Sequence, residues 1–486
     1  MFILSLVGEW VICLRICSDA VKRESCYIVD KVSILKIMNI KHFSKNHLVC
    51  LALFVFCTAS LFLANSASAN NVAVANVSLQ NINTSAKTVQ IKFDLSQSNA
   101  FGDLTWDGNA FSDYLWITVK YSADVLNLPN DGYKHATLAS GGTITPSSDN
   151  QGAFVKASDA TTNMTVVWNY GANSVADNAI VNVKVLALET VKIPEGAFIY
   201  NAGGIGGALF NNYGGGAQAT VSSVANIPTG AASGWPNGFG SFYLAKYEVS
   251  QGQYADFLNM LSTTDSTARF GATSANGYTI TYTAGNAYGS RYSASVPNRA
   301  SNFISWDDAK AYASWLAMRP MTEMEFEKAS RGTTLGGTNT NTYPWGNTAP
   351  DTATYSYNDG SGAATMNKFF ASYNSTLARP VDVGHFLRGD IARTNEQTGA
   401  SPYGVTDLAG NNWEHLINCA QTVVPANGGG TVTAPASWPV ASAGKGIRGG
   451  YWNGGATYLR VSDRIDAGYT SAVRYGNVGF RPTRTN

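Results

Sequence analysis

The chain has 486 residues, with 33 Lys and Arg against 32 Asp and Glu and a formal net charge of +1. With no run of basic residues, it lacks the electrostatic footprint of a nucleic-acid binder, so no nucleic-acid partner is expected. Its 48 glycines, 24 tyrosines and 13% charged residues describe a globular chain long enough for more than one core.

From Met38 the chain reads as a secretory signal peptide. Lys41 and Lys45 precede an apolar run over residues 49–63, and Ala67-Ser68-Ala69 offers a small-residue cleavage site. The run is short for a bilayer span, so export is expected rather than anchoring. Residues 1–37 precede the start read at Met38 and look like an over-extended gene model. Cleavage would leave residues 70–486, with 26 basic and 28 acidic side chains. It would remove Cys13, Cys17, Cys26, Cys50 and Cys57 and leave Cys419 alone. One thiol cannot close an internal disulfide, so the exported chain must be held by its core. No later apolar stretch is long enough to cross a bilayer. The expected location is periplasmic, cell-surface or extracellular, with no membrane contact after cleavage.

Residues 70–187 alternate with the period of strands. Val89, Ile91, Phe93 and Leu95 share one face, and Leu115, Ile117, Val119 and Tyr121 repeat the pattern, as do Val181, Val183 and Val185. Polar Gly, Asn and Ser loops separate them, which predicts an all-β sandwich domain. No catalytic constellation stands there; His135 is isolated and reads as structural or merely exposed.

A second domain is expected over residues 188–486, opening with a strand near Val191–Phe198 and a Gly/Ala/Ser-rich stretch over 201–240. Three helices follow. Ser250 caps one whose buried face is Tyr254, Phe257, Leu258 and Leu261. Ser305 with Asp308 caps the next, with Trp306, Ala309, Ala313 and Leu316 inward. Thr322 and Glu325 form a capping box for the third, where Phe326 and Ala329 face the core; its glutamates read as cap and surface charges. Beyond Gly332, few regular periods and many Gly, Asn, Thr and Tyr residues suit a loop-rich α+β domain.

Five motifs then occur in order over residues 319–481: Arg319–Gly332 (RPMTEMEFEKASRG), Tyr343-Pro344-Trp345-Gly346-Asn347, Leu408–Glu414 (LAGNNWE), Arg448-Gly449-Gly450 and Asn477–Arg481 (NVGFR). Together they resemble the formylglycine-generating enzyme, or sulfatase-modifying factor, domain family. The resemblance implies a compact C-type-lectin-like α+β fold. In that family two cysteines just after the Arg-Gly-Gly-x-Trp element bind copper(I) and convert a substrate cysteine to formylglycine with oxygen; soft thiolates suit Cu(I). Here those positions fall on Gly454 and Leu459. No copper is expected, and whether any enzyme activity remains is open.

Cys419 stands in another segment, four residues after His415, and a Cys/His dyad there lacks an orienting third group. A related branch uses iron held by a histidine triad, but from residue 70 onward there are only His135, His385 and His415, widely scattered. A third branch, exported and without the cysteine pair, acts on a siderophore. The resemblance also implies a calcium loop over Asp407–Glu414. Asp407 and Glu414 would give carboxylate oxygens and Gly410 and Asn412 backbone carbonyls, a hard-oxygen set suited to structural Ca²⁺. The alternative is a plain turn before a strand, with Trp413 as a core anchor. The family's second calcium site does not align around residues 354–359.

The segment from Tyr451 to Gly476 is rich in tyrosine and small residues. Tyr451, Trp452, Asn453, Tyr458, Tyr469 and Tyr475 are expected to form a ligand-binding surface, because Tyr offers contact area at low entropic cost. The pattern resembles variable proteins diversified by retroelements; ordinary drift in loops would leave the same trace. Three readings stand: an exported binding protein for a protein, peptide or glycan, a non-thiol modifying enzyme, and a structural surface protein. A pocket lined by Tyr451, Trp452 and Tyr458 favours the first. A convergent polar cluster with perturbed pKa favours the second.

Overall fold

The alternation of Thr88–Ser96 puts Val89, Ile91, Phe93 and Leu95 inward, each buried, with Gln90, Lys92 and Asp94 on the other face. The computed structural model describes residues 72–97, 104–106, 109–124, 126–157, 160–200, 218–332, 342–350, 355–358, 363–366, 371–387, 398–440 and 443–485. The expected signal peptide, the residues before it, residues 201–217 of the Gly-rich stretch and much of 351–370 lie outside the described residues.

Strand Thr88–Ser96 pairs antiparallel with Ala73–Asn83 on one side and Ala160–Asn169 on the other, and Leu138–Ala139 completes this sheet. A larger sheet runs in the order Arg319–Pro320, Pro482–Arg484, Phe242–Ala245, Asn182–Ile193, Asn109–Ser122, Leu104–Trp106. The two sheets share one apolar cluster: Ile91, Phe93 and Trp168 from the first meet Leu115, Ile117, Val119 and Val185 from the second. Each large side chain buried this way contributes about 1.5–3 kcal/mol.

Strand Asn182–Ile193 is the hinge of the architecture. It pairs with Asn109–Ser122 from Asn182 to Lys192, and from Thr190 onward its other edge pairs with Phe242–Ala245. The boundary expected between residues 187 and 188 therefore falls inside a strand, and residues 67–486 form a single unit.

Two buried cations stitch this sheet to the helical layer. The Lys120 ammonium donates to the carbonyls of Trp315 (2.5 Å) and Gly430 (2.8 Å), and lies 3.0 Å from His135 Nδ1. His135 is thus a packed partner, its Nε2 facing the Gln151 carbonyl at 2.7 Å. Burial and the Lys120 charge hold it neutral, well below the ordinary histidine range. The Arg484 guanidinium stacks 4.1 Å from the Trp116 ring and pairs with Asp149 at 2.6 Å.

The three expected helices form at Gln251–Met260, Trp306–Trp315 and Glu323–Arg331, each opened by a reciprocal capping box. A fourth, Thr263–Arg269, follows the first after a Ser262 cap. Tyr254, Phe257, Leu258 and Leu261 pack with Tyr312, Trp315 and Leu316 in one core. Mixed helices and sheets make this an α+β chain.

The glutamates of the Glu323–Arg331 helix are not surface charges. Glu323, Glu325 and Glu327 are all buried. Arg319 grips Glu325 through two nitrogens at 2.6 and 2.7 Å. Glu323 receives Arg448 at 2.6 Å and Arg464 at 2.5 Å, while Glu327 pairs with Arg331 at 3.2 Å and Arg448 at 3.5 Å. Amphipathic periodicity marks these carboxylates as outward; the local Arg319 and Arg331, with Arg448 and Arg464 from distant segments, make their burial possible.

Candidate functional site

A three-stranded sheet carries the candidate site. Trp413–Ile417 lies at its centre, antiparallel to Lys445–Arg448 and parallel to Val478–Gly479. From these strands Trp413, Ile447 and Val478 form a buried apolar floor. Above it lies a cavity of about 290 Å³ walled by Tyr451, Tyr458, Tyr469 and Tyr475, with Asp466 and Asn477 as its polar members.

Backbone bonds fix the walls. The Ile447 and Tyr469 amides both donate to the Asp466 carbonyl at 3.0 Å, and the Trp413 amide donates to the Asn477 carbonyl at 2.9 Å. The Tyr475 carbonyl accepts from Phe303 (3.0 Å) and Val478 (3.2 Å). The rings stand at angles: Trp413 and Tyr458 are 5.8 Å apart at 58°, Tyr469 and Tyr475 6.0 Å apart at 66°. Burial raises the Asp466 carboxyl above the usual aspartate range.

Of the six residues expected on a binding surface, the structure brings four tyrosines to one cavity. Trp452 is buried, its indole donating to the Gly476 carbonyl at 3.2 Å, and pins the loop rather than lining the cavity. Asn453 is exposed and does not line it either. Trp413, Asp466 and Asn477 also line the cavity, although Trp413 is expected in the calcium loop or as a core anchor, Asp466 only as one of the residues of the 451–476 segment, and Asn477 only as part of the Asn477–Arg481 motif.

The Asp407–Glu414 loop is tightly turned, with Asp407, Gly410 and Asn411 all at positive φ. A Cβ on Gly410 would meet the Ser372 carbonyl oxygen at 2.3 Å, so the close approach requires glycine. Asp407 Oδ2 accepts from the Gly384 amide at 2.6 Å. Both oxygens of Glu414 face Arg481, at 2.5–2.8 Å. Glu248 joins them, accepting from the Asn412 amide at 2.9 Å and from the Asn411 side chain. Burial raises the proton affinity of all three carboxyls against the single Arg481 charge, and the Asp407 charge adds to it at Glu248 and, more weakly, at Glu414. Among the described residues no three His, Cys, Asp or Glu side chains stand ready to hold a metal by themselves. The expected set instead mixes two carboxylates with two carbonyls. Three buried carboxyls against one arginine supply the hard oxygen donors that Ca²⁺ takes, and Asp407, Glu414 and the Gly410 and Asn412 carbonyls would be the groups to hold it.

Cys419 and His415 have different partners. Cys419 Sγ lies 3.2 Å from the Tyr200 hydroxyl, and burial beside Glu323 pushes its thiol far up. His415 faces the Ile304 carbonyl at 3.0 Å, and burial lowers it to about 3. A thiol held protonated is a poor nucleophile.

Residues 186–486 match the family described as sulfatase-modifying factor enzyme 1-like domain. The chain belongs to this family. It is 32% identical over 188 residues to a mouse (Mus musculus) protein named inactive C-alpha-formylglycine-generating enzyme 2, covering 37% of this chain and 46% of that protein. It is 28% identical over 188 residues to the formylglycine-generating enzyme of Streptomyces coelicolor, covering 38% of this chain and 52% of that enzyme. The chain thus spans about half the length of the curated relatives it matches.

In this sulfatase-modifying factor enzyme 1-like chain, the two positions expected to carry cysteines are built otherwise. Leu459 is buried among Tyr343, Trp345 and Ala409. Gly454 lies against the Tyr451 ring, which a Cβ would approach to 2.9 Å. Neither side chain has a metal-binding or nucleophilic atom.

Proposed function

We propose that this protein is an exported, non-catalytic member of its family that uses a C-type-lectin-like scaffold to bind a ligand in the tyrosine-walled cavity. The observation that carries the reading is the cavity itself, formed by four of the tyrosines expected on a recognition surface, beside a loop where glycine and leucine replace the copper-binding cysteines. Of the carboxyls with raised proton affinity, Glu189, Glu248, Asp407 and Glu414 lie buried away from that cavity, so they support packing more than acid–base chemistry. The N-terminal sheets would serve as a β-sandwich support. Calcium would be structural, held by Asp407, Glu414 and the carbonyls of Gly410 and Asn412. Among the described residues no helix is long and apolar enough to cross a membrane.

The test is a glycan and peptide array probed with the purified 70–486 protein and its Tyr458→Ala variant. Binding that disappears in the variant is expected. In parallel, a sulfatase-type cysteine peptide is incubated with protein, oxygen and Cu(I). Thiol-to-aldehyde conversion seen by mass spectrometry would overturn the non-catalytic reading, as would array binding indifferent to Tyr458 for the cavity.

A further inference from the structure

We infer that the cavity takes a small organic cation, such as an alkylated ammonium group, with Asp466 as its counter-charge. This rests on the binding reading above and specifies the ligand's chemistry.

An aromatic ring presents a negative face, and several rings set at angles around one space concentrate that field where a cation would sit. Here Tyr451 and Tyr458 tilt toward Trp413 at 31° and 58°, while Tyr469 and Tyr475 touch edge to face at 66°, their centroids 6.0 Å apart, as part of the wall of the same cavity. At about 290 Å³ the space is at the small end of small-molecule sites.

The charge balance points the same way. Asp466 is half-buried and lines the cavity, yet its carboxylate has no hydrogen bond or ion pair among the described residues. The neighbouring cations are committed elsewhere. Lys445 Nζ donates to the Ser471 carbonyl at 2.7 Å and lies 5.6 Å from the Tyr469 ring without lining the cavity. Arg474 is held by Asp308 at 2.7 and 2.9 Å, and Arg464 by Glu323. Asp463, the nearby acid, adds negative rather than positive potential at Asp466. Asp466 lines the aromatic-walled cavity half-exposed, so its carboxylate is an acceptor open to solvent or to a cation entering that space.

Choline and its uncharged isostere 3,3-dimethyl-1-butanol have the same shape and differ in charge, so calorimetric titration of each into the 70–486 protein isolates the cation. Choline is expected to bind at least about tenfold more tightly than the alcohol. Asp466→Asn and Tyr475→Leu should each cost about tenfold in choline affinity with thermal midpoints unchanged; Tyr475 is 41% exposed, so its removal spares the core. Equal binding of both compounds, or choline binding indifferent to both variants, overturns the inference. Absence of choline binding beside a Tyr458-dependent array ligand overturns it and leaves the recognition reading standing. Absence of both sinks the two together.

Discussion

Glu189 is enclosed on every side: Gln97 donates to it at 2.7 Å, and Lys246, paired with Asp113 at 2.5 Å, and Tyr247 complete its surroundings. Burial pushes its carboxyl up to about 8 from 4.5. Below pH 4.5 both folded and unfolded chains hold the proton, and the group contributes nothing. Between 4.5 and 8 only the unfolded chain releases it, so this group lowers stability as pH rises through that window. Glu189→Gln should remove that slope and gain on the order of 1–3 kcal/mol over wild type at pH 8 while matching it at pH 4.5. Urea midpoints at the two pH values decide it; parallel wild-type and variant curves would mean Glu189 is ionised. At Asp407 the expectation concerns metal. EDTA should lower the melting temperature of the wild-type protein, and Asp407→Ala should melt at that lower temperature with or without EDTA. An EDTA shift that persists in the variant removes the site assignment.

The helix Glu323–Arg331 shows what an element-level reading can and cannot reach. Its start was legible because a capping box is local: Thr322 and Glu325 are three residues apart and satisfy each other's backbone. The burial of Glu323 was not, because its partners lie 125 and 141 positions away at Arg448 and Arg464. The same distinction runs through the cavity. A tyrosine-rich segment is visible as composition, whereas Asp466, Asn477 and Trp413 become neighbours only through long-range backbone bonds, from Ile447 to Asp466 and from Trp413 to Asn477. Trp452 is composition-matched to a recognition surface, but its buried ring serves the fold by donating to the Gly476 carbonyl. Removing Glu323 would strand Arg448 and Arg464 in the core. Glu323→Ala is expected to cost about 3–5 kcal/mol, read from denaturant unfolding. A loss within 0.5 kcal/mol, the range usual for surface substitutions, would contradict the buried network.

At the scale of the whole molecule, the family-matched region starts inside a strand whose other edge belongs to the preceding residues. A chain beginning at residue 186 would keep the pairing of Thr190–Ile193 with Phe242–Ala245 but expose the edge that Asn109–Ser122 covers. It should therefore aggregate or melt without a sharp transition, while the 70–486 chain unfolds in one step. Circular dichroism melts of both test this; a soluble, cooperative 186–486 chain would show the N-terminal sheets to be dispensable. The sequence signals for the two regions were sound locally, but period-2 alternation says nothing about which sheet a strand joins.

Strand Pro482–Arg484 seals the large sheet between Phe242–Ala245 and Arg319–Pro320, with Thr483 donating to a carbonyl 240 positions earlier. That pairing has a consequence in time. While the chain emerges from the ribosome, strand Phe242–Ala245 must wait with one edge bare until those 240 residues have followed. Early in its life the protein therefore presents a sticky template, and its passage to the folded state is a race between completion and capture by another chain.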